Sequence, residues 1–90
     1  LLTDRDQDGN TPLHQAAISG HSSMLEGLVE WFTGHSEYSK ELEINRQNRS
    51  GNTPLHLAFQ FDHPEIVKFL VEKGAHQDIQ NNAELTALEL

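Results

Sequence analysis

Six consecutive residues, Gly9-Asn10-Thr11-Pro12-Leu13-His14, recur unchanged as Gly51-Asn52-Thr53-Pro54-Leu55-His56. A decayed third copy, Thr86-Ala87-Leu88-Glu89-Leu90, follows at an offset of 33 residues from Thr53, whereas the first two copies stand 42 apart. Self-similarity at this period restricts the chain to architectures built by stacking one small unit on the next. The residues between the anchors correspond as well. Ala16-Ala17 matches Ala58-Phe59, and Gly20-His21 matches Asp62-His63. Met24, Leu25, Leu28 and Val29 match Ile66, Val67, Leu70 and Val71, a spacing that places each set of four on one helical face. Each unit therefore reads as a short helix, a turn, a longer helix and an extended loop to the next copy.

The repeated residues have physical reasons to be there. Thr11 and Thr53 stand where a helix N-cap hydroxyl accepts an unpaired backbone N–H. Pro12 and Pro54 then take the first helical position, where the missing N–H costs nothing and the fixed φ helps. Leu13 and Leu55 are expected to point inward. Gly9, Gly51 and Gly20 suit turns that need positive φ, and Asp62 replaces the last of these in the second unit. Small Ala16, Ala17 and Ala58 allow the paired helices to approach closely. Phe59 breaks that pattern and requires either room in a neighbouring unit or partial exposure. Gly27, inside the second helix, costs about 1 kcal/mol relative to alanine. The third copy departs furthest, with Glu84, Ala87 and Glu89 where the earlier copies have glycine, proline and histidine.

The Thr-Pro-Leu-His-x-Ala signature, met in full by Thr11 to Ala16 and by Thr53 to Ala58, resembles the ankyrin-repeat family over nearly the whole chain, from Leu2 to Leu90. That resemblance implies an all-α solenoid of stacked antiparallel helix pairs with extended turn loops. Its repeat cores would span about 6–47 and 48–80, with partial repeats at both ends, the last at 81–90. It also implies that His14 and His56 tie one repeat to the next by hydrogen bonds. In the family, partners meet the turn tips and the exposed side of the first helices. Carried onto this chain, the tip positions are Arg5, Gln7, Asp8, Asn10, Gln47, Arg49, Ser50 and Asn52, and the helix positions are Ile18, Ser19, Gln60 and Phe61. Phe61 beside Arg49 is the expected hot spot, since aromatic and arginine side chains dominate such sites. Two complete units fall short of the roughly three that a solenoid usually needs. Further repeats are therefore expected on both sides. The implied function is an adaptor or scaffold that binds a protein; the alternatives are a structural spacer within a longer array and a regulatory segment of a protein with an enzyme domain elsewhere.

The extra nine residues between the first two copies fall at Thr33 to Glu41. Loop closure entropy grows only logarithmically with length, so an insertion here is cheap. One reading is a lengthened helix end followed by a passive loop. The other is a second contact surface anchored by Trp31 and Tyr38. A lengthened repeat ahead of a well-formed Thr-Pro-Leu-His unit also resembles the inhibitors of Rel-type transcription factors.

Composition narrows the chemistry. Fourteen acidic residues against six basic ones give a formal charge of −8, which repels phosphate backbones and favours a basic protein surface. Nucleic acid is not expected as a direct partner. There is no cysteine, hence no disulfide or thiolate zinc site, and the setting is expected to be intracellular, cytoplasmic or nuclear. No apolar run approaches a membrane span. Asp4 to Gly9 matches the first half of an EF-hand loop, but its twelfth position holds Gln15 in place of the bidentate acid. Of six histidines, four occupy recurring repeat positions, and the remaining His35 and His76 belong to no ligand-spaced cluster. Neither a metal nor a cofactor is expected. No nucleophile motif or phosphate loop is present, so the segment is not read as an enzyme.

Overall fold

A computed structural model describes residues 3–90; Leu2, read above as the end of an upstream repeat, lies outside them. Five α-helices follow one another: α1 (Pro12–Ser19), α2 (Ser22–Gly34), α3 (Lys40–Ile44), α4 (Pro54–Gln60) and α5 (Pro64–Glu72), with a final 3₁₀ turn at Ala87–Glu89. No strand occurs among the described residues. The short helices α1 and α4 start where their caps dictate. Thr11 and Thr53 lie in extended backbone, with a proline opening the helix behind each and the histidine three residues on bonded back to the cap. α1 ends at Gly20 in the left-handed region (φ 76), and Asp62 adopts the same hand (φ 59) after α4. The N–H groups of His21 and His63 then close on the carbonyls of Ala16 and Ala58 at 3.0 and 2.8 Å. These turns send α2 and α5 back along their partners.

The two helix pairs lie layer on layer, α1 against α4 and α2 against α5. Leu13, Ala16, Ala17, Leu25, Val29 and Phe32 of the first pair share one core with Leu55, Leu57, Ala58, Ile66 and Leu70 of the second. The apolar stripe of each long helix is divided more finely than its spacing suggests. In α2, Leu25 and Val29 are fully buried while Met24 is 50% exposed. In α5 the assignment is reversed: Ile66 and Leu70 are buried, and Val71 is exposed. A helix in a layer has two flanks, and each pair buries only the flank that faces the other.

The nine-residue excess is not a bare loop. α2 runs on to Gly34, and after a short turn Ser39 caps α3, its side chain accepting the Leu42 N–H at 3.2 Å. α3 packs on α2 and buries Ile44 completely. Glu43 is buried beside it and pairs with Arg46 at 2.8 Å, which satisfies a charge that burial would otherwise penalise.

Hydrogen bonds between layers follow the repeat. The His14 ring accepts the Thr11 N–H at Nδ1 (3.1 Å), so Nε2 carries the proton and donates to the carbonyls of Arg46 (2.9 Å) and Asn52 (3.0 Å). His56 does the same with the Thr53 N–H and the Leu85 carbonyl. Both histidines thus bind their own cap on one side and the following layer on the other. At the third copy, Glu89 caps Thr86 in the histidine's place, accepting its N–H at 2.8 Å and its hydroxyl at 3.0 Å. A carboxylate there keeps the cap and has no N–H to donate onward.

Candidate protein-binding surface

Three turns project from the same edge of the stack, and each is built around an Asx side chain. The Asp6 carboxylate accepts the N–H groups of Asp8 (2.9 Å) and Asn10 (2.8 Å). Asn48 repeats this with Ser50 and Asn52, and Asn81 with Ala83 and Leu85. Each turn closes by a backbone bond, from Gly9 to Asp6, from Gly51 to Asn48 and from Glu84 to Asn81. The Asn10 N–H, with help from Gln15 and Asp8, holds the Asp6 carboxyl below the usual carboxylate range.

Asparagine in place of aspartate adds a link between turns. Asn48 Nδ2 donates to Asn10 Oδ1 at 2.8 Å, and Asn81 Nδ2 donates to Asn52 Oδ1 at 2.9 Å. A second ladder runs beside it: Arg5 donates to the Gln47 carbonyl at 3.0 Å, and Gln47 Nε2 donates to the Gln80 carbonyl at 3.0 Å. These side chains join the turns into one rigid edge. Both ladders were missed in the sequence, although Gln47–Asn48 and Gln80–Asn81 stand one 33-residue period apart and carry the signal.

The expected tip residues therefore divide into two groups. Asn10 does not belong at a contact surface: it is 7% exposed, and its side chain is occupied by Asn48 and Asp6. Asn52 is half-buried and bonded to Asn81. Arg5 and Gln47 are exposed, but their donors hold neighbouring carbonyls. Gln7, Asp8, Arg49 and Ser50 are the exposed group whose side chains carry no such bridge. Arg49 is steered by its backbone, which donates to the Asp8 carbonyl at 3.0 Å, and its stem lies over Gly9, where a Cβ would come within 3.1 Å of Cγ.

On the helix face, Ser19 and Gln60 are exposed and Ile18 is half-buried. Phe61 is 44% exposed, a large apolar side chain open to solvent. It does not lie beside Arg49. Arg49 precedes the α4 cap at Thr53 and Phe61 is the C-cap, so the helix separates them by roughly 10 Å of rise. The two mark opposite ends of the α4 surface.

Trp31 and Tyr38 are half-buried and packed on each other. The Trp31 ring stacks on His35 at 3.7 Å and 17°, meets Tyr38 at 5.2 Å and touches Phe32 edge-on at 5.6 Å. His35 Nδ1 bonds the Trp31 carbonyl at 2.7 Å. This cluster folds the inserted residues back on α2. Elsewhere, no group of three or more His, Cys, Asp or Glu among the described residues is placed to hold a metal.

Helix pairs stacked layer on layer, with a stiff, polar turn edge, define a repeat solenoid. The family model for ankyrin repeats (three copies) matches residues 1–82, and the chain belongs to the ankyrin-repeat family. No curated protein matches the sequence. Ankyrin repeats are generally protein–protein interaction modules with a non-catalytic fold, and they bind protein partners. No described helix is long and apolar enough to cross a membrane.

Proposed function

We propose that this chain is an adaptor or scaffold segment that holds a protein partner along its turn edge and the exposed face of α1 and α4. The supporting observation is the turn edge itself. Side-chain ladders fix Asn10, Asn52, Arg5 and Gln47, and between them Gln7, Asp8, Arg49 and Ser50 stay open to solvent. A rigid edge presents these groups with little ordering entropy left to lose on binding. Ser19, Gln60 and Phe61 extend the surface along the helices, with Ile18 at its margin.

The charge of −8 favours a partner with a basic face, and its association rate falls with ionic strength. In this reading the segment belongs to a longer array, with repeats of its own chain on both sides. A partner captured at low salt on the immobilised chain is to be titrated against Arg49→Ala and Phe61→Ala separately. Each variant is expected to weaken binding about tenfold or more while the melting temperature holds. Unchanged affinity in both would remove this surface from consideration.

A further inference from the structure

The two helix pairs correspond residue by residue, but each leaves a different flank uncovered. Ala17, Leu25 and Val29 are fully buried in the first pair because the second pair covers them. Their counterparts Phe59, Val67 and Val71 are half-buried or exposed. A cleft of about 220 Å³ opens on that flank, lined by Phe59, Asp62, His63, Pro64, Val67 and Lys68. The uncovered flank continues the interface that joins the two pairs, displaced by one layer.

The flank is not a copy of the first interface. There, His63 seats its ring against Gly20 and donates from Nε2 to the Ile18 carbonyl at 3.1 Å. A Cβ on Gly20 would lie 2.6 Å from Cε1 of that ring and 2.9 Å from Nδ1. At the matching position the second pair has Asp62, with the same left-handed backbone and a Cβ in the place that must stay empty. Ser22 donates to Glu65 across the first interface at 3.3 Å, whereas its counterpart Pro64 has no donor to offer.

We propose that this flank accepts an amphipathic helix–turn–helix unit that differs from α4–α5 in one required respect: the turn residue facing Asp62 is small, where α4–α5 carries His63. An aliphatic side chain of that unit fills the cleft over Val67. This rests on the reading of the chain as part of a longer stack and adds which units the stack admits at this point. The second pair thereby acts as a selector of its neighbour. A second copy of the chain docked in the same register is disfavoured, because its α1 would need the space over α4 that the 3₁₀ turn Ala87–Glu89 occupies.

The test extends the full chain after Leu90 with a copy of residues 58–73, which completes a third unit in register. One version keeps the copied His63; the other carries His63→Ala in the copied segment only. Each is made with Asp62 and with Asp62→Gly, and all four are unfolded in urea. With Asp62, the alanine version is expected to exceed the histidine version about tenfold in folding equilibrium constant, and with Asp62→Gly the order is expected to reverse. Equal stability of the two versions in both backgrounds would overturn the selectivity while leaving the longer stack standing. No gain from either extension would overturn the docking itself. So would self-association of the unextended chain in sedimentation that Val67→Asp abolishes, since a second copy would then be the occupant.

Discussion

Two glycines of the first helix pair show how far a single residue's effect depends on its surroundings. Gly20 has φ 76, and a Cβ there would press on the His63 ring at 2.6 Å. Gly20→Ala is expected to destabilise the fold by about 1–3 kcal/mol, through backbone strain and loss of the His63–Ile18 bond. Gly27 sits inside α2 with nothing within 4 Å of its missing Cβ. Gly27→Ala is expected to stabilise by about 1 kcal/mol. Urea unfolding of both variants checks the opposite signs. His14 supplies a pH signature. Burial is the main cause holding its pKa below the ordinary 6.5, against two carbonyl bonds that favour its charge. The unfolded chain therefore binds the proton more readily, and stability rises with pH where that difference exists. The contribution of His14 is fully present above pH 6.5 and declines as pH falls below it. Melting temperatures between pH 8 and 5 are expected to fall on the acid side of that value, and less steeply in His14→Gln.

At the scale of single elements, caps were the most legible feature. Thr-Pro at positions 11–12 and 53–54 announces both short helices, because the chemistry is local and needs no tertiary information. Thr53→Ala removes the α4 cap and is expected to cost about 1 kcal/mol, measured by urea unfolding. The long helices were half legible. Periodicity placed Met24, Leu25, Leu28 and Val29 together, but it does not say which flank a neighbour covers, so Met24 at 50% exposure was not foreseen. The inserted residues were least legible. Nothing in Thr33 to Glu41 has a repeat counterpart, and their order comes from Trp31, Phe32, His35 and Tyr38 packing on one another. Tyr38→Ala is expected to raise hydrogen exchange across 35–42 and leave α4 and α5 protected; unchanged exchange there would mean the cluster does not hold α3.

On the scale of the whole molecule, the helix layers and the turn edge divide the work. Buried leucines, alanines and the two bridging histidines hold the layers, and the asparagine and glutamine ladders hold the turns. The candidate surface was only partly readable in sequence for this reason. A tip position shared with the family does not reveal whether its side chain faces outward, as Arg49 does, or links turns, as Asn10 does. The partner-binding account is tested most directly by hydrogen–deuterium exchange of the chain with and without its captured partner. Binding is predicted to slow exchange at residues 6–10, 48–52 and 60–62 and to leave the back of α2 and α3 unaltered. Protection confined to 22–44, with the turn edge exchanging as in the free chain, would contradict it.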